Sequence, residues 1–200
     1  MAPSQYFERT PEVASRPSVV TLALADLTLK LSTDRGVFSH DAVDAGTRLL
    51  LQEAAPPPAD GDLLDLGCGY GPIALTMAKR SPGATVWAVD VNERALALCG
   101  ANAERSGVHN VRPAAIEDVP PDIRFAAIWS NPPIRIGKTA LHELLLRWLR
   151  LLDDGGVATL VVQKHLGADS LATWLTGEGF SVERLASRQG YRLLSARARA

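Results

Sequence analysis

The chain has 200 residues, 46% of them hydrophobic, enough to bury one sizeable core and too short to house a second domain comfortably. A net charge of −1 and a pI near 6.4 exclude general electrostatic attraction to nucleic acid, so any RNA contact must rest on local patches. Cys68 and Cys99 are too few and wrongly spaced for a disulfide framework or a zinc site. No apolar run reaches membrane-spanning length and no signal-peptide pattern follows Met1. The expectation is a cytoplasmic protein with no metal site and no membrane partner.

Residues 1–17 hold three prolines and few apolar positions, the mark of an irregular arm placed at residues 1–20, with residues 21–200 as a single domain. Val19 to Ser32 alternates Leu, Val and Thr as a β-hairpin would, turning near Ala25-Asp26. Asp41 to Gln52 carries apolar residues at helical spacing, with Ser39 or His40 at its start, and Pro56-Pro57-Pro58 then makes a rigid connection. Beyond it the pattern predicts strand 63–66, helix 72–80, strand 84–89, helix 93–105, a strand near 108–113 and strand 125–130. Helix 139–150, strand 156–163, helix 168–177 and strands 180–187 and 190–197 complete the chain. This alternation is the signature of a doubly wound α/β sheet.

The strand at Leu63 reaches Asp65 and turns through Gly67, Gly69 and Gly71, a D-x-G-x-G-x-G loop followed by Pro72, the residue favoured at a first helical position. Residues without Cβ let the backbone approach a nucleotide-type cofactor closely. The dinucleotide pattern G-x-G-x-x-G would need its third glycine where Pro72 stands, so the spacing argues against NAD. The next strand ends at Asp90, an acid placed to accept hydrogen bonds from both hydroxyls of a ribose. A further strand runs into Asn131-Pro132-Pro133-Ile134. Each piece alone is ordinary, a strand-to-helix connection or a proline turn. Together they sit at the carboxyl ends of strands, where parallel sheets bind ligands. His40, His109, His142 and His165 have no spacing that suggests a metal or a triad.

With D-x-G-x-G-x-G and Asn-Pro-Pro at this separation, the chain resembles the class I S-adenosylmethionine-dependent methyltransferases. Gly36-Val37-Phe38-Ser39, then Asp44-Ala45-Gly46-Thr47-Arg48-Leu49-Leu50-Leu51, resembles more narrowly the methyltransferase small domain family. That family includes enzymes methylating the exocyclic N2 amine of a guanine in small-subunit (16S) ribosomal RNA. The resemblance implies a seven-stranded, mostly parallel sheet of order 3-2-1-4-5-7-6 with an N-terminal hairpin extension. It also implies S-adenosyl-L-methionine as cofactor and ribosomal RNA or a ribosomal subunit as partner. It assigns the loop backbone at Gly67, Cys68 and Gly69, with Gly71, to the methionine and ribose portion, and Asp65 to orienting the loop or meeting the amino group. Asp90 then takes the ribose, Val91 borders the adenine and Asp118 accepts the adenine amine. For Cys68, a nucleophilic role finds no supporting motif, and packing behind the loop is the preferred reading.

An exocyclic amine is a poor nucleophile because its lone pair is conjugated into the ring. A site must hold the nitrogen pyramidal and aim that lone pair at the methyl. The side-chain oxygen of Asn131 and the carbonyl of Pro132 could each accept one amine N–H, with Pro133 fixing the carbonyl's direction. Transfer then needs positioning and no metal. The fourth position, usually aromatic and stacked on the target base, is Ile134, so stacking would fall to Phe38 or the pocket is simply apolar. Arg135 and Lys138, with Arg35 and Arg48, are candidates for phosphate contact. The reading is an N-methyltransferase acting on ribosomal guanine N2. A protein glutamine amide or a small planar amine is the alternative substrate. The competing class is a non-catalytic S-adenosylmethionine-binding module, against which the intact Asn131-Pro132-Pro133 argues.

Overall fold

The computed structural model describes residues 9–199. An antiparallel hairpin, β1 (Ser18–Ala23) and β2 (Thr28–Thr33), leads into α1 (Ala45–Glu53), β3 (Asp62–Leu66), α2 (Pro72–Arg80), β4 (Thr85–Val89), α3 (Glu93–Arg105) and β5 (Val111–Ala114). Then come β6 (Phe125–Ser130), α4 (Lys138–Leu149), β7 (Leu152–Gln163), α5 (Ala168–Gly177), β8 (Phe180–Arg188) and β9 (Tyr191–Ala198). Seven strands form one sheet in the order β5-β4-β3-β6-β7-β9-β8, which, counted within the sheet, reads 3-2-1-4-5-7-6. Only β9 runs antiparallel to its neighbours. Among the described residues no helix is long and apolar enough to cross a membrane.

Strands β3, β4 and β6 are covered on both faces, which is why they read as nearly continuous apolar runs and not as alternation. On one face α1, α2, α3 and the hairpin pack Leu22, Leu31, Leu50, Leu75 and Met77 against the sheet. On the other, α4 and α5 bring Leu145, Trp148 and Leu175 over Ile128 and Leu160. The strand ends that matter lie side by side. Ser130 at the end of β6 donates its hydroxyl to the carbonyl of Leu66 at the end of β3, at 2.7 Å.

Several boundaries differ from expectation for local reasons. The arm ends earlier than residue 20, because Ser18 already pairs with Thr33 in the hairpin ladder. Helix α1 starts at Ala45 and not near Ser39: Asp44 is its cap, accepting from the amides of Gly46 and Thr47, while residues 34–43 form a looped wall with Ser39 at positive φ. Strand β7 begins at Leu152, since the Phe125 amide bonds the Leu151 carbonyl before the chain bends at Gly155. In β8, Leu185 is an extra residue opposite the Arg184–Ala186 register shift, so alternation breaks there.

The hairpin is fastened by Asn102 of α3. Its buried carboxamide donates to the Ser32 carbonyl and accepts the Ser32 amide, both at 2.8 Å, as a neighbouring strand would. The same amide nitrogen reaches the Tyr70 carbonyl at 2.8 Å, which ties hairpin to glycine loop. Residues 9–17 are irregular but tethered. Asp34 accepts from the Ser15 hydroxyl and from the amides of Arg16 and Arg35, and Arg94 donates to the carbonyls of Val13 and Arg35. Burial pushes the Asp34 carboxyl up, but the bonds from Ser15, Arg16 and Arg35 outweigh it and hold the group below its ordinary value of 3.8.

Replacing Asn102 by Ala orphans both Ser32 backbone groups and the Tyr70 carbonyl, and we expect a loss of about 2 to 3 kcal/mol in urea unfolding. The Asp34 clasp has a defined acid limit. Because its folded value is depressed, its stabilisation is fully present above the unfolded value of 3.8 and is lost as pH falls through the folded one. Proteolysis of the arm should therefore accelerate in wild type below pH 3.8, whereas Asp34→Asn should be cleaved quickly at every pH.

Candidate active site

A cavity of about 510 Å³ opens beyond the carboxyl ends of β3, β4 and β6. Its floor is Gly67, Gly69 and Asp90, one wall is the 37–44 loop, and the other is Asn131 through Arg135. Phe38 and Ile134 both line it, and Phe38 is 46% exposed, an apolar residue left open at the mouth.

The loop is shaped by bonds to the next strand. The amides of Gly67 and Cys68 both donate to the Val89 carbonyl, at 2.8 and 3.0 Å, and the Gly69 amide donates to Asp90 Oδ2 at 2.8 Å. Those three amides are therefore spent inside the protein. At these three residues the loop has carbonyls and bare Cα atoms to offer a ligand, not amide donors. A Cβ built on Gly67 or Gly69 would meet nothing within 4 Å, so both face open space. Gly71 differs: a Cβ there would lie 2.7 Å from Leu75 Cδ1 and 2.8 Å from Cys99 Sγ, at φ 96°. Its requirement is packing and the turn into α2, and it is absent from the cavity lining.

The two acids are treated differently by the fold. Asp90 lines the cavity and accepts from the Gly69 and Asn92 amides; burial raises its carboxyl above the ordinary value even so. Asp65 is completely buried outside the cavity. Its Oδ2 accepts the Ala74 amide in the first turn of α2 at 2.8 Å, its Oδ1 has no partner among the described residues, and burial pushes the carboxyl well up. Cys68 is also buried, with burial and the adjacent Cys99 thiol pushing its own thiol up, which keeps it protonated and poorly suited to attack.

Asn131 is the best-positioned polar side chain of the far wall. Its Nδ2 donates to Asp44 Oδ1 at 2.8 Å and Thr47 Oγ1 at 3.1 Å, so the carboxamide oxygen is the part left unengaged. The Pro132 carbonyl already accepts the Ile134 amide at 2.8 Å across a tight turn at Pro133, leaving one lone pair. Not every expected residue arrives. Asp118 is exposed on a short 3-10 turn away from the cavity, where Ile116 presents an apolar wall in its place. Lys138 is exposed at the start of α4 and does not line the cavity, whereas Arg135 does. Arg48 is spent on the carbonyls of Val43 and Thr21. Val91 borders the cavity at 41% exposure, and Asn92 beside it caps α3 and holds the Gly36 carbonyl.

Sequence reasoning missed Asp44, Thr47, Gln163 and Tyr191 as site residues. Gln163 Nε2 donates to the Tyr191 hydroxyl at 2.8 Å, and that hydroxyl reaches Asp44 Oδ2 at 3.4 Å. Asp44 and Thr47 stood inside a quoted motif and could have been found there. Gln163 and Tyr191 carried no local signal.

A doubly wound sheet of this order, with a glycine loop, a ribose-type acid and Asn-Pro-Pro at adjoining strand ends, defines an S-adenosylmethionine-dependent methyltransferase. Comparison with known proteins agrees: the methyltransferase small domain profile matches residues 28–195, and the chain belongs to that family. It is 35% identical over 195 residues to YbxB of Bacillus subtilis, a match covering 96% of this chain and 97% of YbxB. It is also 35% identical over 194 residues to ribosomal RNA small subunit methyltransferase C of Ectopseudomonas mendocina, covering 94% of this chain and 57% of that protein. Among solved structures, the T. thermophilus 16S rRNA N2 G1207 methyltransferase (RsmC), in complex with AdoMet and guanosine, superposes with a TM-score of 0.79 at 25% identity. That match covers 94% of this chain and 52% of the other. The chain thus spans about half the length of the ribosomal RNA methyltransferases it matches.

The two kinds of glycine should separate experimentally. Gly71→Ala should destabilise the fold by roughly 2 kcal/mol or more, through the clashes and the left-handed backbone. Gly69→Ala should cost about 1 kcal/mol in stability but place a methyl in the open cavity, and so weaken S-adenosylmethionine binding at least roughly tenfold by calorimetry.

Proposed function

We propose that the protein methylates the exocyclic N2 amine of a guanine in small-subunit ribosomal RNA, in the cytoplasm, with residues 18–200 acting as one catalytic domain. The observation that carries this reading is the fixed carboxamide of Asn131. With Nδ2 held by Asp44 and Thr47, its oxygen is presented as an acceptor on the wall facing the glycine loop. The likeness to ribosomal RNA methyltransferases supports the choice of RNA over other amines.

The residues fit the cofactor. Open space above Gly67 and Gly69 accommodates the methionine and ribose portion. Asp90 is an acceptor for ribose hydroxyls, and Val91, Asn92 and Ile116 make a half-apolar slot for adenine. Asp65 acts from behind, fixing the loop through Ala74, and Gly71 and Cys68 shape the turn. S-adenosylmethionine supplies an electrophilic methyl on a positively charged sulfonium. Asn131 Oδ1 and the remaining lone pair of the Pro132 carbonyl take the two amine hydrogens and hold the nitrogen lone pair toward the loop. Pro133 rigidifies that carbonyl. After transfer the surplus proton leaves to water. Phe38 provides the face for the base, with Ile134 opposite as an apolar edge and Arg135 placed for a phosphate.

Labelled methyl should pass from S-adenosylmethionine to small-subunit RNA taken from cells lacking this protein, and digestion should return N2-methylguanosine. Label appearing only in protein or in small molecules would overturn the substrate, and cofactor binding without label anywhere would overturn the enzyme role. Asn131→Ala should keep its cofactor affinity and lose on the order of 10²-fold in kcat, the scale of removing one preorganised polar group from a transition state.

A further inference from the structure

Three carboxamides line the cavity, and two of them, Asn131 from the loop after β6 and Gln163 from the end of β7, are tethered by their nitrogens to one carboxylate, Asn131 directly and Gln163 through the Tyr191 hydroxyl. Asp44 accepts from the Gly46 and Thr47 amides and from Asn131 Nδ2 through Oδ1, and from the Tyr191 hydroxyl through Oδ2. Both of its oxygens are used only as acceptors, which sets the direction of every bond reaching it. Tyr191 must donate to Asp44, so its oxygen is left to accept, and Gln163 must turn its amide nitrogen to it, at 2.8 Å. A reversed Asn131 would set its carbonyl oxygen against the carboxylate, and a reversed Gln163 would set oxygen against an acceptor oxygen. Among the described residues no donor reaches the oxygen of either amide. Close packing keeps the tether in place: a Cβ at Gly46 would lie 2.7 Å from the Tyr191 ring, so only glycine lets Tyr191 sit on the first turn of α1.

We propose that Asp44 is a positioning residue that sets base specificity: through Asn131 directly, and through Tyr191 to Gln163, it makes both amides present carbonyl oxygens to the substrate. Resting on the reading of the site as a guanine N2 methyltransferase, this adds how the base is chosen. The Watson–Crick edge of guanine offers adjacent N–H donors at N2 and N1. Adenine and cytosine carry a ring-nitrogen acceptor where guanine carries N1–H, and that acceptor would face an oxygen that cannot rotate away. The discrimination is a buried mismatch and not a steric one, the kind of error a polar site rejects strongly.

The test uses short single-stranded RNAs of uridine with one central guanine, 2-aminopurine or adenine, bound to protein saturated with S-adenosylhomocysteine. 2-Aminopurine keeps the N2 amine but has an acceptor at N1. Wild type should prefer guanine over 2-aminopurine by at least roughly tenfold. Asp44→Asn keeps an oxygen to cap α1 but places a donor toward Tyr191, which reverses the Tyr191–Gln163 bond and turns the amide of Gln163 outward. The preference should fall to near parity or invert, with cofactor affinity unchanged. Tyr191→Phe, which frees Gln163 without touching the helix cap, should also narrow the ratio and serves if Asp44→Asn unfolds. A guanine preference of unchanged ratio in a folded Asp44→Asn or Tyr191→Phe protein overturns the proposal and leaves the guanine reading intact. Failure of wild type to favour the guanine probe at all would sink the guanine reading itself.

Discussion

One carboxylate joins the parts of this protein that must agree. Asp44 starts α1, receives the amide of Asn131 from the loop after β6, and is reached by Tyr191 from β9. Those three elements come from the beginning, middle and end of the chain. A carboxylate can satisfy them together because it has about four acceptor sites and no donor, so each partner has only one way to face it. The orientation of the cavity's far wall follows from that asymmetry.

The near wall obeys a different constraint. A strand-to-helix turn leaves amides that need partners, and here the Val89 carbonyl at the end of β4 and the carboxylate of Asp90 just after it take them. The loop is therefore rigid before any ligand arrives, at the cost of two acids whose burial raises their carboxyls. The unpartnered Oδ1 of Asp65 and the elevated Asp90 are unfavourable to the unliganded fold. Of the two, only Asp90 lines the cavity, where the donors of a ligand can reach it.

The hairpin and arm complete the enclosure without adding chemistry. Asn102 couples β2 to the glycine loop, and Asp34 with Arg94 fixes the arm against the 34–40 segment that carries Phe38. The cavity thus gains a lid-like wall from residues far from the parallel sheet in sequence. Disturbing Ser32 or Asp34 would be felt at the cofactor loop through these polar links and not through the apolar core.

Much of the fold could be read directly. The apolar runs of β3, β4 and β6, the start of α2 at Pro72 and the alternation of strands and helices are local patterns, and local patterns survive in one dimension. The glycine loop, Asp90 and Asn131 were legible because strand ends of a parallel sheet necessarily converge. The sequence places the start of α1 at Ser39 or His40, but serine and aspartate both cap helices, and only the bonds from the amides of Gly46 and Thr47 settle the start on Asp44. Asp118 was expected in the cavity because an acid follows the third strand, yet the 3-10 turn rotates Ile116 inward and leaves the acid in solvent. Sequence by itself determined the strands and helices, the glycine loop and the place of the Asn-Pro-Pro turn at a strand end, all fixed by neighbours a few residues apart. Tertiary structure alone decided which way Asn131 faces and that Gln163 and Tyr191 belong to the site. Hydrogen-bond direction across 87 or 147 residues of separation depends on which surfaces packing brings together.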